Sequence, residues 1–196
     1  SYLLANNTAH YDGVIAALEA KGLSVIPAFA CGLDARPAID TFFKFNGRAC
    51  VDAVISLTGF SLVGGPAYND SKAAGETLAD LDVPYISAHA LEFQTLERWG
   101  ASDRGLMPVE ATMMVAIPEL DGATSPMVFG GRSEANGAPC TGCERRCVFK
   151  NSGGNRIMHS CPERAQMLAA RISKLVALRR RERAARLSAV ARAGMV

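Results

Sequence analysis

The most constraining feature of the sequence is an apolar run at residues 53–57 (AVISL), which ends at Thr58-Gly59 and is followed by a second break at residues 64–66 (GGP). A short run rich in β-branched residues between chain breakers is typical of a strand that is buried on both faces. Helical patterns lie on either side of it, and this alternation gives a parallel sheet with crossover helices. The sequence therefore predicts an α/β protein with residues 53–57 near the centre of its sheet.

The alternation of strand and helix patterns continues along residues 1–132. We predict strands at residues 2–5, 23–29, 53–57, 83–88 and 126–130, and helices at residues 9–20, 38–45, 71–81, 89–99 and 109–117. This order predicts a flavodoxin-like three-layer sandwich with a parallel sheet. Because the first strand pattern begins at the first residues, we expect the chain to be a piece of a longer protein.

The composition divides the chain into three parts. Residues 1–132 form the α/β domain, residues 133–161 are a Cys-rich insertion, and residues 162–196 form a basic amphipathic helix that leads to the rest of a larger subunit. The helix has nine Arg/Lys and two Glu, and the remaining chain has 12 basic and 17 acidic residues. Its apolar stripe favours packing on a protein surface, so we expect no nucleic-acid partner.

The targeting signals are few. The hydrophobic fraction is 49%, and no apolar run approaches the roughly 20 residues of a membrane-spanning helix. No signal peptide is recognisable, so we expect a cytoplasmic protein, or a protein of the plastid stroma if the source is a plant.

The loop at residues 58–69 is the predicted binding region, because ligands in such sheets lie beyond the carboxyl ends of the strands. Thr58, Gly59, Gly64 and Gly65 are its candidate cofactor-binding residues, since glycine permits positive φ and a close approach of the backbone. His10 follows the first predicted strand, and His89 with Glu92 follows the fourth. In the predicted topology these side chains can share one crevice, although helix capping also accounts for acidic residues there.

Four cysteines form the second chemical signal. Cys140, Cys143, Cys147 and Cys161 have the spacing C-x2-C-x3-C-x13-C, and the last precedes a proline. This spacing predicts a metal site, with a 4Fe–4S cluster favoured over zinc or unligated thiols.

A family resemblance rests on several motifs taken together. They are His10-Tyr11-Asp12-Gly13 and residues 29–34 (FACGLD), 52–60 (DAVISLTGF), 62–67 (LVGGPA) and 117–122 (IPELDG). In this order they resemble the large, porphyrin-binding subunit of magnesium chelatase, a family that also includes the large subunit of cobaltochelatase.

The resemblance implies a role in (bacterio)chlorophyll synthesis. In that family Mg²⁺ is inserted into protoporphyrin IX, and ATP is hydrolysed by separate motor subunits. The absence of a G-x-x-x-x-G-K-[ST] phosphate loop here agrees with that division. The implied partners are the ATPase motor subunits, the rest of the large subunit and the tetrapyrrole.

The same resemblance suggests catalytic roles for motif residues. His10 and His89 are candidates for taking up the pyrrole protons or contacting the metal, and Glu92 is a third catalytic candidate that could hold Mg²⁺. Glu119 and Asp121 are candidates for holding Mg²⁺, because a hard ion prefers carboxylate oxygen. The alternatives are a module whose iron–sulfur or zinc site has a regulatory or structural role, and a cobaltochelatase domain.

Overall fold

The computed structural model describes residues 2–3, 5–30, 32–65, 68–133 and 158–193. The strands are β1 (Lys44–Phe45), β2 (Arg48–Ala49), β3 (Val54–Ser56), β4 (Gly64–Gly65), β5 (Tyr68–Asn69), β6 (Tyr85–Thr95), β7 (Thr124–Arg132) and β8 (Met158–Ser160). The helices are α1 (Ala9–Glu19), α2 (Arg36–Phe42), α3 (Ser71–Leu81), α4 (Leu96–Ala101), α5 (Pro108–Ala111), a π-helical turn (Thr112–Ala116), α6 (Ile117–Leu120) and α7 (Pro162–Ala193).

The central sheet has the strand order β3-β6-β7-β8. The pairs β3–β6 and β6–β7 are parallel, whereas β8 runs antiparallel to β7. The register between β6 and β7 shifts at three places, so the sheet curls along its longest strand. Two short antiparallel hairpins, β1–β2 and β4–β5, lie outside this sheet.

The main core lies between the central sheet and two helices. Val14 and Leu18 of α1 and Leu168 of α7 pack on Ala88 and Phe129 of the sheet. The apolar stripe predicted for α7 therefore packs on this face of the sheet and shields it from solvent. A second cluster on the other side contains Ile39, Val54, Leu62, Leu81 and Tyr85.

The arginine-rich half of α7 is bound to the same domain. Arg180 and Arg183 form ion pairs with Asp52, at 2.7 and 3.2 Å. Arg179 donates to the side chain and the carbonyl oxygen of Asp82. These three arginines of the basic helix thus contact carboxylates beside β3 and at the end of α3.

The structure is a mixed α/β fold with a curled sheet and a C-terminal helix. The predicted strands at residues 2–5 and 23–29 are wrong for the described residues: residues 2–3 lie in a turn, and residues 23–30 form no ladder. Only Leu23 and Val25 of the second segment pack on the core, while Ile26 and Phe29 are exposed. Residues 23–30 thus contact the core on one side only and pair with no strand. The predicted five-stranded, flavodoxin-like order is therefore not confirmed.

The predicted helix at residues 89–99 is also wrong over its first part. Residues 89–95 continue β6, and the helix begins at Leu96 after its N-cap Thr95. The longer strand is stabilised by pairing with β7 as far as Arg132. Tertiary pairing outweighs the local helical pattern, because β6 is buried on both faces as far as Leu91.

The predicted division at residues 133–161 is only partly within the described residues. Residues 134–157 lie outside them, whereas β8 occupies residues 158–160 and completes the sheet edge. In the part of the chain that the structure describes, no helix combines the length and the hydropathy needed to cross a bilayer.

Candidate functional site

The loop at residues 58–69 follows β3, as the sequence predicts, and its backbone is tightly constrained. Gly59 has φ 69° and Gly64 has φ 117°. A Cβ on Gly59 would meet Met114 Cγ at 3.1 Å and His89 Cβ at 3.3 Å, and a Cβ on Gly64 would overlap the carbonyl of Tyr68. Both glycines have positive φ and lie close to neighbouring atoms, so residues 58–65 of the loop have one well-defined path.

The loop is also anchored on two sides. The Leu62 N–H donates to Asp121 Oδ2 at 2.7 Å, which ties the loop to the turn after α6. The Ala35 N–H donates to the Leu62 carbonyl, and Asp34 bridges Val63 in the antiparallel sense. Thr58 is exposed at the start of this rigid loop.

A row of polar side chains lies on one face of β3 and β6 beneath the loop. Tyr85, Ser87 and His89 alternate along β6, and Ser56 lies beside Ser87 in the parallel register. Burial, together with the negative charge of Asp121, raises the pKa of the Tyr85 hydroxyl to about 12, whereas a hydrogen bond with Ser56 lowers it. We call Ser56, Tyr85, Ser87, His89 and Asp121 the buried polar row.

Four members of the buried polar row are at most 4% exposed. Among the described residues, Ser87 Oγ and both ring nitrogens of His89 have no hydrogen-bond partner, whereas Tyr85 interacts with Ser56 and Asp121 with Ser61. A buried polar group that stays unpaired costs about 1–3 kcal/mol, so such a row is expensive unless something hydrogen-bonds to it. Burial lowers the pKa of His89 to about 4 and raises the pKa of Asp121.

His10 lies in an aromatic enclosure on the other face of the sheet. Its ring is stacked on Phe129 with centroids 6.0 Å apart, meets Tyr2 edge-on at 5.3 Å, and is 3.8 Å from the Tyr11 ring. The side chain is fully buried, and within the described structure neither ring nitrogen has a partner. Burial lowers the pKa of His10 to about 4, so the ring is neutral at pH 7.

Glu92 belongs to the same region as His10. Burial raises its pKa, whereas a hydrogen bond from Tyr2 lowers it, and the charge of Glu110 raises it further. In turn, burial and the Glu92 charge raise the pKa of Tyr2 to about 12. Arg132 donates to the Glu92 carbonyl at 2.9 Å, so the strand is held at this point.

The structure therefore does not bring His10 and His89 into one crevice. His89 alternates with Ala88 and Ala90, which pack against the side of α1 and α7. On the opposite face it lies beside Gly59, where an added Cβ would be 3.3 Å from His89 Cβ. Of the three candidate catalytic residues, His10 and Glu92 lie together and His89 lies apart from them.

Glu119 and Asp121, the candidate Mg²⁺ ligands, also differ in their surroundings. Glu119 is exposed, whereas Asp121 is 2% exposed and hydrogen-bonded to the loop. Within the described ranges, no group of three or more His, Cys, Asp or Glu side chains is placed to hold a metal ion.

The cysteine site is described only at one residue. Cys140, Cys143 and Cys147 lie outside the described residues, and Cys161 is fully buried just before α7. Burial raises the pKa of its thiol, while backbone hydrogen bonds from Arg164 and Glu163 lower it. The Cys161 thiol thus lies just before α7, and the net effect of its surroundings is a raised pKa that disfavours the thiolate.

Glu110 is a functional candidate that sequence reasoning missed. It is fully buried, and its Oε1 accepts from the N–H groups of Phe93 and Gln94 at 3.1 and 3.2 Å, where β6 bends away from β7. Its signal was the spacing of residues 110, 114, 118 and 121, which puts a carboxylate on the buried face of a helical segment. The π-helical turn within this segment keeps Glu110 and Asp121 on that face.

The fold and the site together define an α/β domain that presents a rigid glycine loop, with buried imidazole and carboxylate groups, at the carboxyl ends of parallel strands. The chain belongs to the CobN/magnesium chelatase family, because the profile described as CobN/Magnesium Chelatase matches residues 1–192. This agrees with the resemblance stated from the motifs.

The relatives support the same family. The chain is 58% identical over 181 residues to the H subunit of magnesium chelatase from Cereibacter sphaeroides, and the match covers 92% of this chain and 15% of that protein. It is 48% identical over 139 residues to the chloroplastic ChlH subunit of magnesium chelatase from Oryza sativa subsp. indica, covering 70% and 10%. The chain thus spans only a small part of these relatives.

A solved structure has the same fold. The catalytic subunit of cobaltochelatase from Mycobacterium tuberculosis matches with a TM-score of 0.59 and 22% identity, over 86% of this chain and 13% of that chain. At this identity the likeness concerns the fold alone, and it supports a mixed α/β domain with a C-terminal helix.

Proposed function

We propose that this chain is a domain of the large, porphyrin-binding subunit of a magnesium chelatase. The whole subunit would insert Mg²⁺ into protoporphyrin IX, driven by ATP that is hydrolysed in partner motor subunits, in (bacterio)chlorophyll biosynthesis. The observation that carries this proposal is the 58% identity, over 92% of the chain, to the H subunit of a magnesium chelatase.

Within that subunit, we assign the loop at residues 58–69 to a wall of the tetrapyrrole site. Two features support this: the loop lies at the carboxyl end of a parallel strand, where ligands of such sheets bind, and its path is fixed by Gly59, Gly64 and the Asp121 hydrogen bond. A fixed backbone loses little freedom when a flat, rigid ligand binds. Thr58 and Gly65 belong to the same wall, and the rest of the domain meets the other domains of the subunit.

A binding assay tests this assignment. In the complete large subunit, Thr58→Glu adds a negative charge to the exposed start of the loop, which should repel a porphyrin that carries two propionates. We expect the Kd for protoporphyrin IX, measured by fluorescence titration, to rise about tenfold or more, since about 1.4 kcal/mol of lost binding has this effect.

The matched control is Ser24→Glu, because Ser24 is exposed in a segment away from the loop. It adds the same charge and should leave the Kd unchanged. Equal affinities for Thr58→Glu and the unaltered subunit would remove the loop from the tetrapyrrole site.

The candidate proton acceptors are proposed in two groups. His10 with Glu92 forms one, and His89 forms the other, on opposite faces of the sheet. Burial keeps both imidazoles neutral, and their pKa of about 4 makes them weak bases that hold a proton only transiently. For Mg²⁺ we propose Glu119 as the accessible carboxylate, because Asp121 is already bound to Leu62.

A cobaltochelatase domain is the alternative, because the matched profile covers both enzymes. The choice is measured by offering Mg²⁺ with protoporphyrin IX, and Co²⁺ with a corrinoid precursor, to the complete enzyme. Insertion of Mg²⁺ alone supports the main proposal, and insertion of Co²⁺ alone supports the alternative.

We also propose, from spacing, that Cys140, Cys143, Cys147 and Cys161 hold a 4Fe–4S cluster, with zinc as the second possibility. The buried thiol of Cys161 fits a cluster only if the metal offsets the pKa that burial raises. Iron, sulfide and zinc analysis after anaerobic purification tests this. About four irons per chain support the cluster, and one zinc or no metal contradicts it.

The location and the partners follow from the proposed function. The ATPase motor subunits and the tetrapyrrole are its partners. The higher identity to the Cereibacter sphaeroides relative favours a bacterial cytoplasm over a plastid stroma.

A further inference from the structure

The helical segment made of α5, the π-helical turn and α6 has the reverse of the usual amphipathic arrangement. Its buried face carries Glu110, which accepts from two backbone N–H groups of β6, together with Met114 and Pro118. Its outer face is exposed at every third or fourth residue and carries no charged side chain before Glu119. A surface helix usually turns its apolar residues inward and its charged residues to water, so this outer face is unusual for a surface in contact with solvent.

A neighbouring strand extends the same surface. Phe93 of β6 lies beside the start of α5, because its N–H donates to Glu110 Oε1 at 3.1 Å. Phe93 and three large side chains of the helical segment are between 40% and 66% exposed. Clustered apolar side chains of this size mark an interaction site more often than a solvated surface. We call these residues the outer apolar face: Phe93, Met107, Val109, Ala116 and Leu120.

The charges near the outer apolar face restrict what can cover it. Residues 105–131 contain no Lys or Arg, and Glu119 is exposed next to Leu120. A porphyrin with two propionates would therefore meet no cation of this segment, and the Glu119 carboxylate would repel it. An uncharged, apolar protein surface has no charge to desolvate or to pair, so it fits this face better.

The length of the relatives indicates where such a surface comes from. The match to the H subunit from Cereibacter sphaeroides covers only 15% of that protein, so most of a large subunit lies outside the matched region. Domains of one chain are held at a high local concentration, which favours their packing against one another. We propose that the outer apolar face docks on an uncharged, apolar surface of another domain of the same large subunit. The proposal rests on the proposed function only in taking this chain as one domain of that subunit.

This docking places the loop at residues 58–69 beside a domain junction. Leu120 directly precedes Asp121, whose carboxylate accepts from the Leu62 N–H. Beneath the outer apolar face, Met114 packs so closely on the loop that a Cβ on Gly59 would be 3.1 Å from its Cγ. Ligand sites occur preferentially between domains, so the docked domain is in position to form a second wall opposite the loop.

Methionine oxidation in the complete large subunit tests the docking. Met107 belongs to the outer apolar face, whereas Met158 is fully buried in the core of this domain. With dilute hydrogen peroxide and mass spectrometry, we expect Met107 to be oxidised at least about tenfold more slowly in the folded subunit than in the urea-unfolded subunit, because a covered thioether is shielded from the oxidant. A difference below about threefold would mean that Met107 is open to solvent, and it would overturn the proposal.

A charge at Val109 tests whether apolar docking causes the protection. Val109→Lys alters a side chain that is exposed in this domain, and continued protection of Met158 verifies that the domain stays folded. We expect the oxidation of Met107 to become at least about fivefold faster, because a charge opposes burial in an apolar contact. Amide hydrogen exchange should also increase in a segment outside residues 1–196, which identifies the docked domain.

The matched control is Val109→Ile, which keeps an apolar side chain at the same position and should change neither measurement. Unchanged oxidation of Met107 in Val109→Lys would overturn the proposal. Faster exchange that is confined to residues 1–196 would overturn it as well, because no other domain would then be released.

The same oxidation assay separates the other occupants. Protection of Met107 that arises only after protoporphyrin IX is added would assign the face to the tetrapyrrole, and protection that is lost on dilution would assign it to a second copy of the subunit. Either result overturns the proposal, whereas protection in dilute subunit without porphyrin supports it. Protection in a subunit that inserts no Mg²⁺ would reject the proposed function and leave the docking in place.

Discussion

Two buried histidines make the stability of the domain sensitive to acid. The pKa of His10 and of His89 is lowered from 6.5 to about 4 by burial. Between these values the unfolded chain binds protons that the folded chain does not. The contribution of the two histidines to the free energy of unfolding is therefore fully present above about pH 6.5 and is lost as the pH decreases towards about 4.

Replacing His10 by Phe should remove its share of this loss. The new ring fits among Tyr2, Tyr11 and Phe129. Between pH 7 and pH 5 the variant should lose about 2 kcal/mol less free energy of unfolding than the unaltered chain, as measured by urea denaturation. Tyr11→Phe is the control and should keep the original pH dependence; an unaltered slope in His10→Phe would mean that His10 is not held neutral.

Glu110 makes a second prediction about a single residue. Its Oε1 is the acceptor for the backbone N–H groups of Phe93 and Gln94. Glu110→Ala leaves both N–H groups unpaired and should lower the free energy of unfolding by about 3 kcal/mol. Glu110→Gln keeps an oxygen acceptor and should lose much less. Similar losses in both variants would indicate that the charge, and not the hydrogen bonds, stabilises the bend of β6.

At the scale of elements, the sequence predicted most of the helices and the parallel strands around the site. The helices α1, α3 and α7 and the strand at residues 54–56 agree with the pattern. These predictions succeed because apolar periodicity is a local signal.

The failures arise where distant pairing decides the structure. Residues 89–95 carry a helical pattern but continue β6, because β7 pairs with residues 89–91 and 95, and Glu110 accepts from the N–H groups of Phe93 and Gln94 between them. Distant packing also separates His10 from His89: α1 packs on the face of the sheet that Ala88 and Ala90 line, whereas His89 alternates with them and occupies the other face. Glu110 was missed because its partners are N–H groups about 16 residues away.

The glycine loop makes a prediction at this scale. Gly64 and Gly122 both have positive φ, 117° and 100°, but only Gly64 lies against backbone atoms. Gly122→Ala should cost about 1–2 kcal/mol through its conformation. Gly64→Ala should cost at least about 2 kcal/mol more through the overlap with Tyr68, measured by chemical denaturation. Equal costs would mean that the hairpin moves aside easily, and the loop would not be a rigid wall.

At the scale of the whole molecule, Asp52, which lies just before β3, attaches the second half of α7 to the central sheet. This carboxylate pairs with Arg180 and Arg183, and its side chain is 27% exposed. Asp52→Ala should cost no more than about 1 kcal/mol, because partly exposed ion pairs contribute little. It should nevertheless increase amide hydrogen exchange at residues 179–186, while residues 165–176 stay protected by the core.

The control for this prediction is Glu76→Ala, whose pair with Lys72 is long, at 3.9 Å, and fully on the surface. It should leave exchange in α7 unchanged. Unchanged exchange in Asp52→Ala would show that apolar packing alone holds the second half of the helix.

The central claim is that this domain forms a wall of the tetrapyrrole site through the loop after β3. The most direct measurement is a structure of the complete large subunit with protoporphyrin IX bound. We predict that the porphyrin ring lies within van der Waals contact of residues 58–65, with Thr58 and Gly59 among its neighbours. A ring that binds elsewhere, without a contact to this loop, would contradict the account.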